Sequence, residues 1–308
     1  MASEQPLISV VMPVYNAQNY ILDALKSICD QTYQNLEIIV IDDGSTDSSK
    51  ELIQSIADID NRLKLISREN KGLISSLNEG IEVSKGQYIA RMDADDLSHP
   101  ERLSRQIDYL EKHPEVGVIF SGIEYIDEYG KIIRKKISSK TRAIEPVELL
   151  FGCPVCHPTA MFNMNKVTKI EIRYDHNFKN AEDFELWTRI ISAHSISIMN
   201  EVLFQYRIHS GSITSQNSDS QRKMAVNAIV KNLSSLSNSK KLKRYFFVVY
   251  NNHQGNESRH VTLNAIAFLF IRLKFINYNF SLYKYATKSY YLVRDKLKSS
   301  KKVSLRAS

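Results

Sequence analysis

The sequence predicts an α/β fold built on a doubly wound, mostly parallel sheet. Three observations carry that prediction. Between Leu7 and Asp96, short apolar runs alternate with amphipathic helical segments. Two of these runs are apolar at nearly every position and rich in β-branched residues, as strands covered on both faces are. Each run ends in a polar cluster, at the position where ligands of such sheets bind.

Leu7 to Val14 is continuous and β-branched and fits a central strand. Tyr15 to Asn19 is a polar turn, with Asn19 placed to cap an amphipathic helix from Tyr20 to Gln31. Leu36 to Ile41 is a second strand. It ends in Asp42-Asp43-Gly44-Ser45-Thr46-Asp47, where Ser45 or Thr46 is placed to cap a helix from Asp47 to Ala57. Leu63 to Ser67 is a short third strand, Lys71 to Ser84 a third helix, and Gln87 to Met92 a fourth strand. Right-handed crossovers would bring Pro13 to Asn16, Asp42 to Ser45, Arg68 to Gly72 and Asp93 to Asp96 to one crevice.

The last of these clusters is the most specific. Asp93, Asp95 and Asp96 crowd three carboxylates together, which repel unless a cation sits among them. Asp93 and Asp95 share a face of an extended segment. Carboxylate oxygens suit Mg²⁺ or Mn²⁺, which takes its remaining ligands from water and substrate phosphates. No GxGxxG follows the first strand and no GxxxxGK[ST] occurs, so a diphosphate here would need a metal to neutralise it. The bland alternative is an acidic turn capping a helix near Pro100 through Asp96 or Ser98.

Downstream the pattern changes. Val116 to Phe120 is a strand, Ile123 to Ile133 a hairpin with Gly130 in its turn, and Pro146 to Phe151 a short helix. Cys153-Pro154-Val155-Cys156-His157 spells the CxxCH string of haem attachment. That role needs an exported protein, and Met1 to Pro6 lacks a basic region followed by an apolar one. A redox role needs a thioredoxin-like setting and a zinc site a second cysteine pair. The cysteines therefore read as incidental thiols in a reducing, cytoplasmic setting. Glu182-Asp183 opens a helix with Phe184, Leu186, Trp187, Ile190 and Ile191 on its apolar face, where carboxylates complement the helix dipole. Arg207 and His209 follow a strand from Val202 to Tyr206. There Arg207 is placed to pair with a diphosphate and His209 to ligate a metal.

The 308 residues are 43% apolar, with a net charge of +7. That charge is unevenly spread. Residues 221–308 hold 18 Lys/Arg against Glu257 and Asp295, a net +16, while the rest of the chain nets −9. This predicts an acidic domain over 1–220 and a basic helical extension over 221–308, whose partner is polyanionic: an anionic membrane or nucleic acid. Val261 to Phe275, with Arg259, Arg272 and Lys274 around it, is too short to span a bilayer and suits its interface.

Several stretches share one family's pattern, in order from Ser9 to Thr214. They are Ser9-Val10-Val11-Met12-Pro13-Val14-Tyr15-Asn16, Ile41-Asp42-Asp43-Gly44-Ser45-Thr46-Asp47, Asn70-Lys71-Gly72-Leu73, Leu77-Asn78-Glu79-Gly80-Ile81 and Gly86 to Asp96. His157-Pro158-Thr159, Ala181-Glu182-Asp183-Phe184-Glu185-Leu186-Trp187 and Tyr206-Arg207-Ile208-His209-Ser210-Gly211-Ser212-Ile213-Thr214 follow. Together they resemble the family 2 glycosyltransferases. The resemblance implies the GT-A fold and inverting transfer of a hexose or N-acetylhexosamine from a UDP-sugar to a hydroxyl of a growing surface glycan, such as O-antigen or capsule. It also implies Mn²⁺ or Mg²⁺ and a lipid-linked acceptor.

The resemblance further implies nucleotide-sugar-binding roles for Pro13, Tyr15, Asp43, Asn70, Lys71, Asp93 and Arg207. Tyr15 would stack on uracil, Asp43 would accept the base N–H, and Asp93 would reach the ribose or a metal-bound water. Asp95 would bind the metal, joined by His209, and Asp183 would be the general base. His157-Pro158-Thr159 would shape the site's floor. In that setting the basic extension meets the anionic inner face of a cell membrane and not nucleic acid. Two other classes remain open. A sugar-phosphate nucleotidyltransferase would carry a glycine-rich basic loop where Pro13 to Asn16 stand. A non-catalytic basic protein binding nucleic acid or membrane rests on residues 221–308 alone.

Overall fold

The computed structural model describes residues 5–209, 218–233, 245–246, 248–249, 259–275 and 285–290. The chain divides into two compact units. The first comprises Met1–Ala143, Val155–His176 and His194–Ser215; the second comprises Ile144–Pro154, Asn177–Ala193 and Gln216–Ser308.

In the first unit, β1 (Ile8–Val14), β2 (Leu36–Asp42), β3 (Leu63–Ser67) and β4 (Tyr88–Arg91) lie side by side in the order β3-β2-β1-β4, all parallel. Every residue of β1 and β2 is buried, as their nearly continuous apolar runs require. The helices α1 (Ile21–Cys29), α2 (Ser49–Ala57) and α3 (Leu73–Val83) connect these strands. Helix α1 buries Ile21, Ala24, Leu25 and Ile28, the i, i+3, i+4, i+7 spacing of one helical face.

Beyond β4 the sheet is mixed. The short β9 (Met161–Asn163) pairs antiparallel with both β4 and β6 (Val116–Ile126). β6 runs parallel to β10 (Ser195–Arg207), and β5 (Leu97–Ser98) closes the order antiparallel to β10. Helix α4 (Arg102–Lys112) buries Leu103, Ile107 and Leu110 in the core formed by β1, β2, β4 and α1. The expected hairpin is present: β7 (Ile132–Lys136) pairs with β6, and Gly130 takes φ +84° in its turn. The two-residue β8 (Arg142–Ala143) pairs with β10.

The expected caps are not formed. Helix α1 starts after Tyr20 with no side-chain cap, so Asn19 does not serve. Helix α2 starts at Ser49, where Asp47 Oδ1 accepts from the Ser49 amide at 3.0 Å. Ser45 and Thr46 are engaged elsewhere, by Asn16. Asp96 and Ser98 do not cap α4, whose cap position is Glu101. The bland reading of the acidic turn fails on that point.

The second unit contains α5 (Pro146–Leu149), with a capping box between Glu145 and Glu148, and α6 (Glu182–Ile190). The helices α7 (Ser218–Ala228) and α8 (Arg259–Phe275) follow, with a π-helical turn at Ile229–Leu233. Glu185 of α6 is fully buried and bonded by Arg189 at 3.0 Å and Asn232 at 3.0 Å, which lets a carboxylate sit in the interior. Among the described residues no helix is long and apolar enough to cross a membrane. Ser210 to Thr214, the end of one motif, lie outside the described residues.

Candidate active site

Because β1 to β4 are parallel, their carboxyl ends share one edge: Val14 lies beside Asp42, and Asp42 beside Ser67. The loops that leave this edge are stitched to one another. Asn16 N donates to Ser45 Oγ at 3.0 Å, and Thr46 N donates to Asn16 Oδ1 at 2.8 Å. Asp43 Oδ1 accepts from Lys71 N and Oδ2 from Gly72 N, both at 2.8 Å, and Arg68 forms an ion pair with the same carboxylate. Gly44 sits at φ +71°, and a Cβ there would stand 2.8 Å from Asn70 N. Only glycine lets the β2 and β3 loops approach this closely.

Of the expected nucleotide-binding residues, Tyr15 is 54% exposed beside this edge, while Pro13 is buried within β1. Asn70 and Lys71 are exposed. Asp43 is 4% exposed and anchors the β3–α3 loop. Among the described residues, Oδ2 accepts from Gly72 N alone, which leaves that oxygen acceptor capacity.

Asp93, Asp95 and Asp96 follow β4, each offering a carboxylate oxygen within 4.8 Å of the others. Arg91, buried in β4, forms an ion pair with Asp93. Beneath it, the buried Arg102 donates from Nη2 to Arg91 O at 2.8 Å. Burial and the Arg91 charge push the Arg102 guanidinium down to about 9. Two buried arginines thus offset part of the acidic charge. They do not offset all of it. Burial, with the charges of Asp95 and Asp93, holds Asp96 well above the usual carboxylate range. Asp96 Oδ2 is buried without a hydrogen-bond partner. An orphaned buried oxygen among under-neutralised carboxylates fits a divalent cation on the chemistry of the donor set.

The end of β10 closes this cluster. Arg207 N donates to Asp96 Oδ1 at 2.7 Å, and its Nε donates to Asp95 O at 2.8 Å. Nη1 reaches the carbonyls of Asp127 and Glu128 at 3.3 and 3.1 Å. Arg207 is 4% exposed, so it acts as a clamp on the aspartate backbone in place of the expected open phosphate-binding cation. His209 Nε2 lies 2.9 Å from Asp95 Oδ2. Tyr20, which the sequence marks only as the start of a helix, joins this cluster. Its ring lies 5.0 Å from the His209 ring and 4.8 Å from the Arg207 guanidinium, tying the β1–α1 loop to the same cluster.

His157-Pro158-Thr159 forms a 3₁₀ turn directly before the residue that accepts from the end of β4: Arg91 N donates to Ala160 O at 2.9 Å. His157 Nε2 lies 2.5 Å from the Tyr174 hydroxyl. Burial, helped by the Arg91 charge, holds this imidazole well below its usual range. Burial likewise raises the Cys156 thiol, the opposite of what a reactive thiolate needs. Asp183 belongs to the second unit, in the first turn of α6 beside the buried Glu182.

The family model described as Glycosyl transferase family 2 matches residues 9–170. The chain is 32% identical over 273 residues to an uncharacterized glycosyltransferase of Haemophilus influenzae, covering 86% of this chain and 80% of that protein. It is also 32% identical over 209 residues to the uncharacterized glycosyltransferase MJ1057 of Methanocaldococcus jannaschii, covering 67% and 72%. Among solved structures, S. aureus TarS 1–349 in complex with UDP-GlcNAc aligns with a TM-score of 0.61 at 19% identity, over 80% of this chain and 71% of that one. The mannosyltransferase PcManGT from Pyrobaculum calidifontis, in complex with GDP-Man and Mn²⁺, aligns with a TM-score of 0.60 at 17% identity, over 96% and 87%. At these identities the two structures speak to the fold, which is GT-A.

Proposed function

The chain belongs to the family 2 glycosyltransferases, and on that premise we propose that it transfers a hexose or N-acetylhexosamine from a UDP-sugar, with inversion, to a hydroxyl of a growing surface glycan. The observation that carries this reading is the aspartate triad with its orphaned Asp96 oxygen at the carboxyl edge of the parallel strands. That edge is where a nucleotide binds in such sheets. TarS with UDP-GlcNAc and the mannosyltransferase with GDP-Man and Mn²⁺ support a nucleotide-sugar donor and a divalent ion.

In this reading Asp95 and His209 hold Mn²⁺ or Mg²⁺, and Asp93 lies toward the ribose or a metal-bound water. When bound, the ion supplies positive charge to the departing diphosphate. The exposed Tyr15 stacks on the uracil, the open capacity of Asp43 Oδ2 accepts the base N–H, and Pro13, Asn70 and Lys71 frame the nucleotide. Arg207 contributes by fixing Asp95 and Asp96. Asp183 takes the proton of the acceptor hydroxyl as that oxygen bonds to the anomeric carbon and the bond to the diphosphate breaks. The acceptor is lipid-linked, and the basic residues of 221–308 hold the enzyme to the anionic inner face of a membrane.

The test is turnover of a panel of UDP- and GDP-sugars with and without Mn²⁺, followed as release of nucleoside diphosphate. Metal-dependent release from a UDP-sugar supports the reading. Release from GDP-mannose alone would move the base assignment away from uracil.

A further inference from the structure

The residues from Tyr129 to Arg142 have no part in the site described above. Every residue of β7 is exposed, including Ile132 and Ile133, and so are Tyr129 and Ile137, with Tyr129 at 87%. The same segment holds Lys131, Arg134, Lys135, Lys136, Lys140 and Arg142 and no acidic residue. Two of these cations are engaged across the hairpin by β6: Lys135 pairs with Glu124 at 2.6 Å, and Arg134 stacks 4.1 Å over the Tyr125 ring. Lys131, Lys136 and Lys140 are exposed.

The hairpin is firmly rooted. Asp127 Oδ1 accepts from Tyr129 N at 3.0 Å and Lys131 N at 2.9 Å, and Arg207 donates to the carbonyls of Asp127 and Glu128. Among the described residues β7 pairs with β6 alone, so it is an edge strand. Lysines on such an edge are ordinary protection against strand pairing. Three exposed isoleucines and a tyrosine work against that protection and need another reason.

We propose that this hairpin docks on an anionic lipid bilayer, with Tyr129, Ile132, Ile133 and Ile137 entering the headgroup boundary and Lys131, Lys136 and Lys140 meeting lipid phosphates. Interfacial binding calls for this pairing of apolar and basic side chains. Nucleic acid would match the lysines but offers the isoleucines no apolar partner. This contact is separate from the one proposed for residues 221–308, and it does not depend on the identity of the donor.

The test uses the full chain carrying Ile133→Trp. The native Trp187 is fully buried, so lipid quenchers will not report on it. With vesicles of phosphatidylglycerol and phosphatidylcholine, emission from the introduced indole should shift to the blue and be quenched by brominated acyl chains. Phosphatidylcholine alone should leave it unchanged. Combining Lys131→Ser, Lys136→Ser and Lys140→Ser should weaken partitioning by about a hundredfold, roughly fivefold per charge, while circular dichroism melting stays unchanged. An introduced indole that remains unshifted and unquenched while the chain sediments with the vesicles would overturn the proposal, because the contact would then lie elsewhere. Retention on RNA without any vesicle binding would overturn it as well.

Discussion

Arg207 Nε holds the backbone of Asp95, donating to its carbonyl at 2.8 Å across 112 residues of sequence. Its other bonds, to Asp127 O and Glu128 O, fix the guanidinium plane under the Tyr20 ring. Lysine cannot reproduce this fork of donors. Arg207→Lys should lower stability by about 3 kcal/mol, from lost bonds to a buried charged group. Urea unfolding measures that loss. UDP titration should show weakened Mn²⁺ dependence in the same variant, since the Asp95 backbone is no longer held.

His157 sets a pH dependence of stability. Its ring is kept neutral in the native state, whereas in the unfolded chain it takes up a proton near its ordinary 6.5. Protons therefore favour unfolding. Stability should be unaffected above about pH 7 and fall as the pH drops below 6.5, by at most about 1.4 kcal/mol per pH unit. The fall continues until the depressed native value is reached. Urea unfolding of the native chain and of His157→Gln at a series of pH values isolates this contribution. The difference between the two should shrink as the pH falls; a constant difference contradicts the assignment.

Asp183→Asn should cut turnover by roughly 10²–10⁴-fold, the usual range for a lost general base, and leave UDP affinity unchanged. Product NMR on the native enzyme should show a β-linked sugar from an α-linked donor. A retained α configuration would remove the need for a base in this position.

The parallel half of the fold was legible because β1 and β2 are apolar at nearly every residue and β4 is short, apolar and followed by three aspartates. The mixed half was not. β9 has three residues, too few to carry a period, and its place between β4 and β6 depends on long-range pairing. The caps failed for a related reason: Ser45 and Thr46 bond Asn16 in another loop, and a local reading cannot see that competitor. In the site, the crowding of the aspartates is visible in the sequence, and with it their demand for positive charge. Part of the answer was Arg91, which shares a strand face with Asp93 by the same two-residue rule that aligns Asp93 with Asp95. The clamp by Arg207 needed the sheet order before it could be seen.

The proposed function requires the aspartate cluster to bind a nucleoside diphosphate through a divalent ion. Calorimetric titration of UDP into the native chain and into Asp95→Asn, each with and without Mn²⁺, tests it most directly. A neutral amide is a much poorer ligand for a hard cation than a carboxylate. The native chain should bind UDP tightly only with Mn²⁺, and Asp95→Asn should lose that enhancement while melting as a folded protein. Equal Mn²⁺-dependent UDP binding by the two proteins would mean that Asp95 does not hold the ion.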